Sequence, residues 1–315
     1  MHRFFDMSEP ELFLSYLKNE LNYSLNTFEA YERDLNQFIE WLCPGKPESF
    51  VAEDITTSDI RSWLASLSRE GKTPRSIRRK AQSLRAFFKF LLKEGRIKIN
   101  PTSDLLLPKL SKPLPDIIKH TEIETVLHNF EKDNHQECET DEEREDRLRN
   151  KLVIENLYSL GLRRAELASI NDEDITFSPS EIKVTGKRMK QRIVPLPLKL
   201  LESIKEWINL RNSLWHDLPS PTPLLVIKGK RITVSQIYTI VKKELASVNA
   251  KKKSPHALRH SFATSMLNEG ADLNSVKEFL GHSSLATTQI YTHISFAEIK
   301  KAYNSSHPRS QKRNK

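Results

Sequence analysis

The chain of 315 residues has few cysteines, few glycines and no long hydrophobic run. Its two cysteines, Cys43 and Cys138, are too few for a disulfide framework or a four-thiolate metal site. None of the eight glycines falls in a GxxxxGK(S/T) or GxGxxG pattern, so no loop of the type that cradles nucleotide phosphates is predicted. No segment approaches the roughly 18 consecutive apolar residues of a transmembrane helix.

The opening residues, MHRFFDMSEPE, include early acids and a proline and have no continuous apolar segment, so they do not predict a signal peptide. With so few cysteines as well, we expect a cytoplasmic protein without a membrane partner. At about 100–200 residues per domain, the length predicts two domains.

Positive charge is in excess and unevenly distributed. Fifty Lys and Arg face forty-one Asp and Glu, a net charge of +9. Residues 131–147 hold nine acids and three bases, so the rest of the chain carries +15. A surplus of this size favours a polyanionic partner. We expect the acidic stretch to be a solvated loop or helix end and assign it no function.

The first hundred residues predict a four-helix domain, residues 1–99. One helix is predicted by apolar residues that step by three and four and so share a face: Phe28, Tyr31, Leu35, Phe38 and Leu42. Further helices are predicted near 11–20, from about 58, and over 73–93.

The helix over 73–93 has a basic face. Residues 69–98 contain eleven bases and two acids. The bases set apart from the apolar stripe are Arg75, Arg78, Arg85 and Lys89. Because no acids are interleaved with them, they lack the partners of a salt-bridged surface helix, and we expect them to contact phosphates.

Four prolines in residues 100–116 disfavour helix and sheet and predict a linker. Residues 117–315 predict a mostly helical domain with a small antiparallel sheet. Strands at 181–184 and 192–196 are joined by the turn 186–190, a hairpin pattern. Helices are predicted near 121–130, 148–160, 198–214, 234–248, 255–269 and 273–280. The predicted strands do not alternate with helices, so a doubly wound sheet is not expected.

Five short segments of the second half contain candidate catalytic residues: GLRRAEL, TGK, PHALRH, LGH and IYTH. His256 and Arg259 are three residues apart on one helical face, so both can point at one anion. An arginine fork holds two phosphate oxygens and keeps its charge. Two arginines, two histidines, a lysine and a tyrosine suit attack by a tyrosine hydroxyl on a phosphodiester, since the arginines neutralise the charge that develops.

These segments, in this order, resemble the tyrosine recombinase (phage integrase) family, most closely its Xer-type members. SLNTFEAYERDLNQFIEWL and SLRAFFKFLLKEGRIKINPTSDLLLPKLSKPLP look like the family's DNA-clamping N-terminal domain and linker. LYSLGLRRAEL, VTGKRMKQRIVPLP, SPHALRHSFATSMLNEGADLNSVKEFLGHSSLATTQIYTH and AYNSSHPR look like its catalytic domain. The resemblance covers nearly the whole chain and implies the tyrosine recombinase fold.

The resemblance implies six catalytic residues: Arg163, Lys187, His256, Arg259, His282 and Tyr291. Tyr291 would attack the scissile phosphate, forming a 3′-phosphotyrosine and freeing a 5′-hydroxyl. Arg163 and Arg259 would hold the non-bridging oxygens, and Lys187 would protonate the leaving oxygen. His256 would act in proton transfer as a base or orienting group, and His282 would hydrogen-bond the phosphate.

The resemblance also implies supporting roles. Glu166, one turn from Arg163, would orient that arginine, and His260 would be structural. Lys190 and Arg192 are interpreted as DNA-backbone contacts. No cofactor is expected, because the phosphotyrosine ester conserves the bond energy and the two arginines supply the positive charge.

The implied function is site-specific recombination of double-stranded DNA by a tetramer, alone or with a related recombinase, on the nucleoid. It would serve chromosome dimer resolution, with a DNA translocase, or integration of a mobile element. The C-terminal segment 296–315 would pack on a neighbouring protomer or on its own domain. Two alternatives are a non-catalytic architectural DNA-binding protein and a type IB topoisomerase that relaxes supercoils.

Overall fold

The computed structural model describes residues 7–21, 23, 25–107, 117–132, 139–186 and 189–281. The chain divides into two compact units, residues 1–113 and 114–315. Within the described ranges, no helix combines the length and the apolar character that a membrane crossing requires.

The described part of the first unit contains four α-helices, as the apolar spacing predicts. They are α1 (Glu9–Asn19), α2 (Leu25–Leu42), α3 (Thr57–Arg69) and α4 (Pro74–Lys93). The Thr73 side chain accepts from the backbone amide of Ser76 and caps α4, whose first residue is a proline. The helices enclose an aromatic core that includes Phe38, Trp63 and Phe87.

A buried ion network in this unit was not predicted. The fully buried Asp34 carboxylate pairs with Arg79 and with Lys80, whose ammonium lies 2.9 Å from Oδ1. Ser83 Oγ donates to the same carboxylate at 2.9 Å. Two of the bases counted on α4 are therefore paired within the unit, which leaves less unpaired charge on its basic face.

The start of the predicted linker packs on the first unit. Leu105 is buried in the core of that unit. Thr57 Oγ1 donates to the Pro101 carbonyl at 2.8 Å, and Arg61 donates to the Asp104 carbonyl at 3.3 Å. Prolines exclude helix and sheet here, but they leave the chain free to dock through side chains and carbonyls. Residues 108–116 lie outside the described part of the chain.

The second unit is mostly helical with small antiparallel sheets, which confirms the predicted fold class. Its helices are α5 (His120–Lys132), α6 (Asp141–Ser159), α7 (Arg164–Ser169), α8 (Leu198–Leu214), α9 (Val234–Glu244), α10 (Pro255–Asn268) and α11 (Leu273–Phe279). The strands are β1 (Ile175–Phe177), β2 (Ser180–Thr185), β3 (Gln191–Pro195), β4 (Val226–Ile227) and β5 (Lys230–Arg231).

The three-stranded sheet has the order β1–β2–β3, and β2 and β3 form the predicted hairpin. In its register Ile182 faces Val194 and Val184 faces Arg192. Strand β1 and the β4–β5 pair were not predicted, because two or three residues are too few to show the alternation of a strand.

Part of the acidic stretch forms the first turns of α6, in agreement with the expected helix end, but it is not fully solvated. Thr140 caps the helix through the amide of Glu143, and Glu143 Oε2 accepts from the Thr140 amide at 2.9 Å. Acids in a first turn also favour the helix dipole. Glu145 and Arg147 are buried rather than solvated. Residues 133–138 lie outside the described ranges.

Candidate active site

Gly161 sets the direction in which the chain leaves α6. Its φ is +57°, a conformation that glycine adopts at low cost. A Cβ at this position would lie 2.6 Å from Phe262 and 2.7 Å from Leu280, so a larger residue would force these side chains to shift. Arg163 therefore comes directly before α7 in a close-packed turn.

Glu166, in the first turn of α7, is the centre of the site. It is 3% exposed, and its carboxylate receives three arginines. Arg163 Nη1 lies 2.6 Å from Oε1, Arg192 donates at 3.1 and 3.0 Å to the two oxygens, and Arg259 Nη1 lies 3.9 Å from Oε2. We call Arg163, Arg192 and Arg259 around Glu166 the arginine cluster. Its charge is positive because one carboxylate faces three cations.

Backbone carbonyls hold the two predicted phosphate ligands. Arg259 donates to Gly161 O at 2.5 Å and to Leu280 O at 2.6 Å. Arg163 donates to Gly281 O at 3.2 Å and, more weakly, to Leu280 O at 3.5 Å. Arg163 is 41% exposed and Arg259 only 7%. One guanidinium therefore faces solvent while the other is held almost entirely inside.

The cluster shifts the pKa values of its members. Burial would raise the pKa of Glu166, but hydrogen bonds and charge from Arg192 and hydrogen bonds from Arg163 outweigh it, so that pKa is lowered. Burial and then repulsion by Arg163 lower the pKa of Arg259 to about 10, against the attraction of Glu166. Arg259 therefore keeps its positive charge near neutral pH.

His256 stands in the first turn of α10, one turn before Arg259. Its Nε2 lies 3.2 Å from Nε2 of His260, four residues further along the same face. Burial lowers the pKa of His256, and electrostatic interaction with His260, Arg259 and Arg163 lowers it further. The imidazole is therefore neutral near neutral pH and able to accept a proton.

The structure brings together part of the predicted catalytic set. Arg163 and Arg259 converge on one carboxylate and one carbonyl, and His256 lies on the helix of Arg259. The other three predicted catalytic residues lie outside the described ranges: Lys187, His282 and Tyr291.

The described neighbours of Lys187 and His282 adjoin the cluster. A Cβ at Gly186 would lie 3.5 Å from Glu166 Oε1, and a Cβ at Gly281 would lie 3.1 Å from Arg192 Nη1. The chain therefore approaches the cluster from both of these segments.

Arg192 does not fit the DNA-backbone contact expected of it. Its two Nη atoms bind Glu166, and its Nε donates to Phe279 O at 3.0 Å, so all three guanidinium nitrogens bind the protein. Sequence reasoning missed this partner because Glu166 and Arg192 are distant in the chain, and no local spacing links them. Lys190, by contrast, is exposed.

The basic face of α4 also differs in part from the expectation. Arg75 and Lys89 are exposed and Arg78 is half-buried. Arg85 donates to the Leu105 carbonyl, so its guanidinium also helps to hold the docked end of the linker.

Comparison with known proteins supports the same interpretation. Residues 117–298 match the phage integrase family, and residues 11–95 match the phage integrase N-terminal SAM-like domain. The tyrosine recombinase XerC of Chlorobaculum parvum is 36% identical over 315 residues, covering 95% of this chain and 94% of that protein. XerC of Alcanivorax borkumensis is 35% identical over 302 residues, covering 96% and 94%.

The fold is shared with solved recombinase structures. The XerH site-specific recombinase bound to difH substrate in a pre-cleavage complex has a TM-score of 0.65 and 25% identity, covering 94% of this chain and 84% of that chain. The Tn1549 transposon integrase in complex with circular intermediate DNA has a TM-score of 0.63 at 21% identity, a likeness of fold alone. The family match and the XerC relatives show that this chain belongs to the phage integrase family and is a tyrosine site-specific recombinase.

Proposed function

We propose that this recombinase cuts double-stranded DNA through Tyr291 at a phosphate held by Arg163 and Arg259, and rejoins it to a new partner. The observation that carries the proposal is the convergence of these two guanidiniums, from α10 and from the start of α7, on Glu166 and on the Leu280 carbonyl. Two cations fixed in this way suit a phosphodiester, whose charge grows as the nucleophile attacks.

In the proposed step, the phenolic oxygen of Tyr291 bonds to phosphorus while the bond from phosphorus to the 5′ oxygen breaks. His256 accepts or orients the phenolic proton, in keeping with its lowered pKa. Lys187 gives a proton to the departing 5′ oxygen, and His282 hydrogen-bonds a phosphate oxygen. Attack by the freed 5′-hydroxyl of another strand on the phosphotyrosine reverses these transfers, so no nucleotide is consumed.

Both units are proposed to bind DNA, with residues 1–99 as a clamp, 100–116 as the linker and 117–315 as the catalytic domain. The exposed Arg75 and Lys89 on α4, with the half-buried Arg78, support a phosphate-binding face on the first unit. The solved relatives XerH and Tn1549 integrase were both captured with DNA. Lys190 and Arg85 are kept as candidate backbone contacts.

The proposed assembly is a tetramer on two duplexes, alone or with a second, related recombinase. Identity to XerC over most of the chain favours Xer-like chromosome dimer resolution, with a DNA translocase as partner, over integration of a mobile element. The site of action would be the cytoplasmic nucleoid. The segment 296–315 would pack on a neighbouring protomer and couple assembly to activity.

The first experiment identifies a substrate and tests cleavage. Duplexes bound by the protein are selected from a random pool, and the selected sequence is rebuilt as a nicked suicide duplex that traps the covalent adduct. Wild type and Tyr238→Phe, a change at an exposed tyrosine of α9, are expected to form the adduct, and Tyr291→Phe is expected to form none. Binding without any adduct would instead support an architectural protein. Relaxation of plasmids lacking the selected site would support a topoisomerase.

The assembly is tested by deleting residues 296–315. The truncated protein is expected to bind a single site but to recombine two copies poorly, because synapsis requires contact between protomers. Recombination at the wild-type rate would contradict packing of this segment on a neighbour.

A further inference from the structure

We propose that Arg192 is a positioning residue that anchors the β2–β3 hairpin, and with it Lys187, to the phosphate-binding arginines. This inference rests on the proposed function, since it concerns the delivery of the proton assigned to Lys187. It replaces the expected role of Arg192 as a DNA contact.

The contacts of Arg192 all point into the protein. The fork formed by Nη1 and Nη2 lies 3.1 and 3.0 Å from the two oxygens of Glu166, and Nε lies 3.0 Å from Phe279 O. The side chain is 15% exposed. A planar fork that meets a carboxylate at two points fixes orientation as well as distance.

The position of Arg192 in the hairpin makes this fork an anchor. Arg192 pairs with Val184 in the register, at the end of the hairpin near Gly186, which directly precedes Lys187 in the sequence. The Gly186 amide donates to Lys190 O at 2.8 Å and closes the turn. Strand pairing and the buried Ile182 and Val194 hold the hairpin together by themselves. Losing Arg192 therefore loosens the described strands of the hairpin relative to α7 and leaves the fold in place.

Glu166 links the hairpin to a predicted phosphate ligand. The same carboxylate binds Arg163 at 2.6 Å, so one group sets the position of a predicted phosphate ligand and of the hairpin. The hydrogen bond from Arg192 Nε to Phe279 O also connects the hairpin to the turn that leads to His282. Arg259 and Arg163 also hold this turn, through the carbonyls of Leu280 and Gly281, so the hairpin is the segment that depends on Arg192 for its attachment to the cluster.

The expected consequence is a defect in proton delivery. A misplacement of about 1 Å in a reacting group costs on the order of 10²-fold in rate. The 5′ oxygen leaves as an alcohol, whose pKa is close to that of water, about 15.7, so it needs a proton in order to leave. A 5′ sulfur leaves as a thiol, whose pKa is about 8.5, so it can depart as the thiolate without a proton. Replacing the bridging 5′ oxygen by sulfur therefore removes the need for Lys187 and leaves the need for the arginines.

The test compares Arg192→Met on two suicide duplexes of the selected sequence, one with the natural 5′ oxygen and one with 5′ sulfur. Single-turnover cleavage of the oxygen duplex is expected to fall about 100-fold, and cleavage of the sulfur duplex to stay within about threefold of wild type. Because the two rates come from one preparation, their ratio does not depend on the folded fraction. Arg192→Lys, which keeps one contact to Glu166, is expected to be intermediate on oxygen.

Two controls accompany the comparison. The first is Lys183→Met, which removes a cation from the same hairpin. Lys183 pairs with Asp174, outside the arginine cluster, so this variant is expected to cleave both duplexes as wild type does. Lys187→Ala is expected to show the same rescue by sulfur as Arg192→Met. A sulfur-to-oxygen ratio in Arg192→Met equal to the wild-type ratio would overturn the inference. Absence of sulfur rescue in Lys187→Ala would overturn the proton-donor role itself, and cleavage by Tyr291→Phe would overturn the proposed function.

Discussion

Arg163 and Arg259 donate hydrogen bonds to the same acceptor, the carbonyl oxygen of Leu280, at 3.5 and 2.6 Å. The shared acceptor lies in the turn that ends α11 and leads to His282. Arg163 also donates to the next carbonyl, Gly281 O, at 3.2 Å, so this turn holds the two guanidiniums side by side before any phosphate is present. Such preorganisation is what makes charge stabilisation effective in a transition state.

Glu166→Gln is expected to lower the free energy of unfolding by about 3 kcal/mol, because it leaves buried arginines without their counter-charge. Urea unfolding measures this, with Glu206→Gln, at an exposed position of α8, as a control expected to stay within about 0.5 kcal/mol.

The loss of unfolding free energy caused by Glu166→Gln should also depend on pH. The lowered pKa of Glu166 means that its stabilisation is fully present above the ordinary glutamate pKa and is lost as the pH falls through the lowered value. The difference between wild type and Glu166→Gln should therefore shrink in acid. A difference that grows as the pH falls would contradict the lowered pKa.

The rate of cleavage should follow the protonation of His256. Because the pKa of His256 is lowered, we expect the single-turnover rate to fall only at pH values below the ordinary histidine range. His260→Ala removes a neighbour that lowers this pKa, so the acid limb should move to higher pH. His216→Ala, at an exposed position, should leave the profile unchanged. An identical acid limb in wild type and His260→Ala would contradict the coupling of the two imidazoles.

Gly161→Ala should cost stability in two ways. A positive φ costs an alanine about 1–2 kcal/mol, and the clash of its Cβ with Phe262 and Leu280 adds about 1–3 kcal/mol. Gly270→Ala is the matched control, since Gly270 also has a positive φ but nothing lies within 4 Å of its Cβ position. Thermal unfolding should therefore show the larger loss for Gly161→Ala, and equal losses would contradict the close packing of this turn.

DNA binding should depend strongly on salt. If about six to ten phosphates are contacted, affinity should fall about 10³–10⁵-fold from about 50 to about 200 mM salt. Arg75→Gln and Lys89→Gln should each reduce the slope of log affinity against log salt by about one. Lys80→Gln should instead reduce stability and leave the slope unchanged, because Lys80 is buried against Asp34. Equal slopes in all four proteins would contradict a phosphate-binding face on α4.

The sequence predicted the parts of the fold that depend on periodicity. The helices of the first unit and the β2–β3 hairpin follow from apolar spacing and turn residues, which are local signals. The start of α6 was missed because its first turns are acidic and carry no apolar stripe, while the cap at Thr140 and the helix dipole stabilise them.

In the site, side-chain identity was predictable and long-range pairing was not. Arg163, Arg259 and Glu166 stand out by motif, and the structure places them together. The contacts that fix them come from Arg192 and from the carbonyls of Gly161 and Leu280, and carbonyls are present at every residue and leave no mark in a sequence. The pairing of Arg79 and Lys80 with Asp34 was hidden for a similar reason, since Asp34 lies on another helix.

In the proposed reaction Tyr291 is the residue that becomes joined to DNA. The most direct measurement is mass spectrometry of the trapped adduct after digestion with trypsin and nuclease, because the tryptic peptide 278–300 contains Tyr291 as its single tyrosine. We predict a nucleotide on Tyr291 in wild type and no modified peptide from Tyr291→Phe. A nucleotide on any other residue, or an adduct that persists in Tyr291→Phe, would contradict the assignment of Tyr291 as the nucleophile.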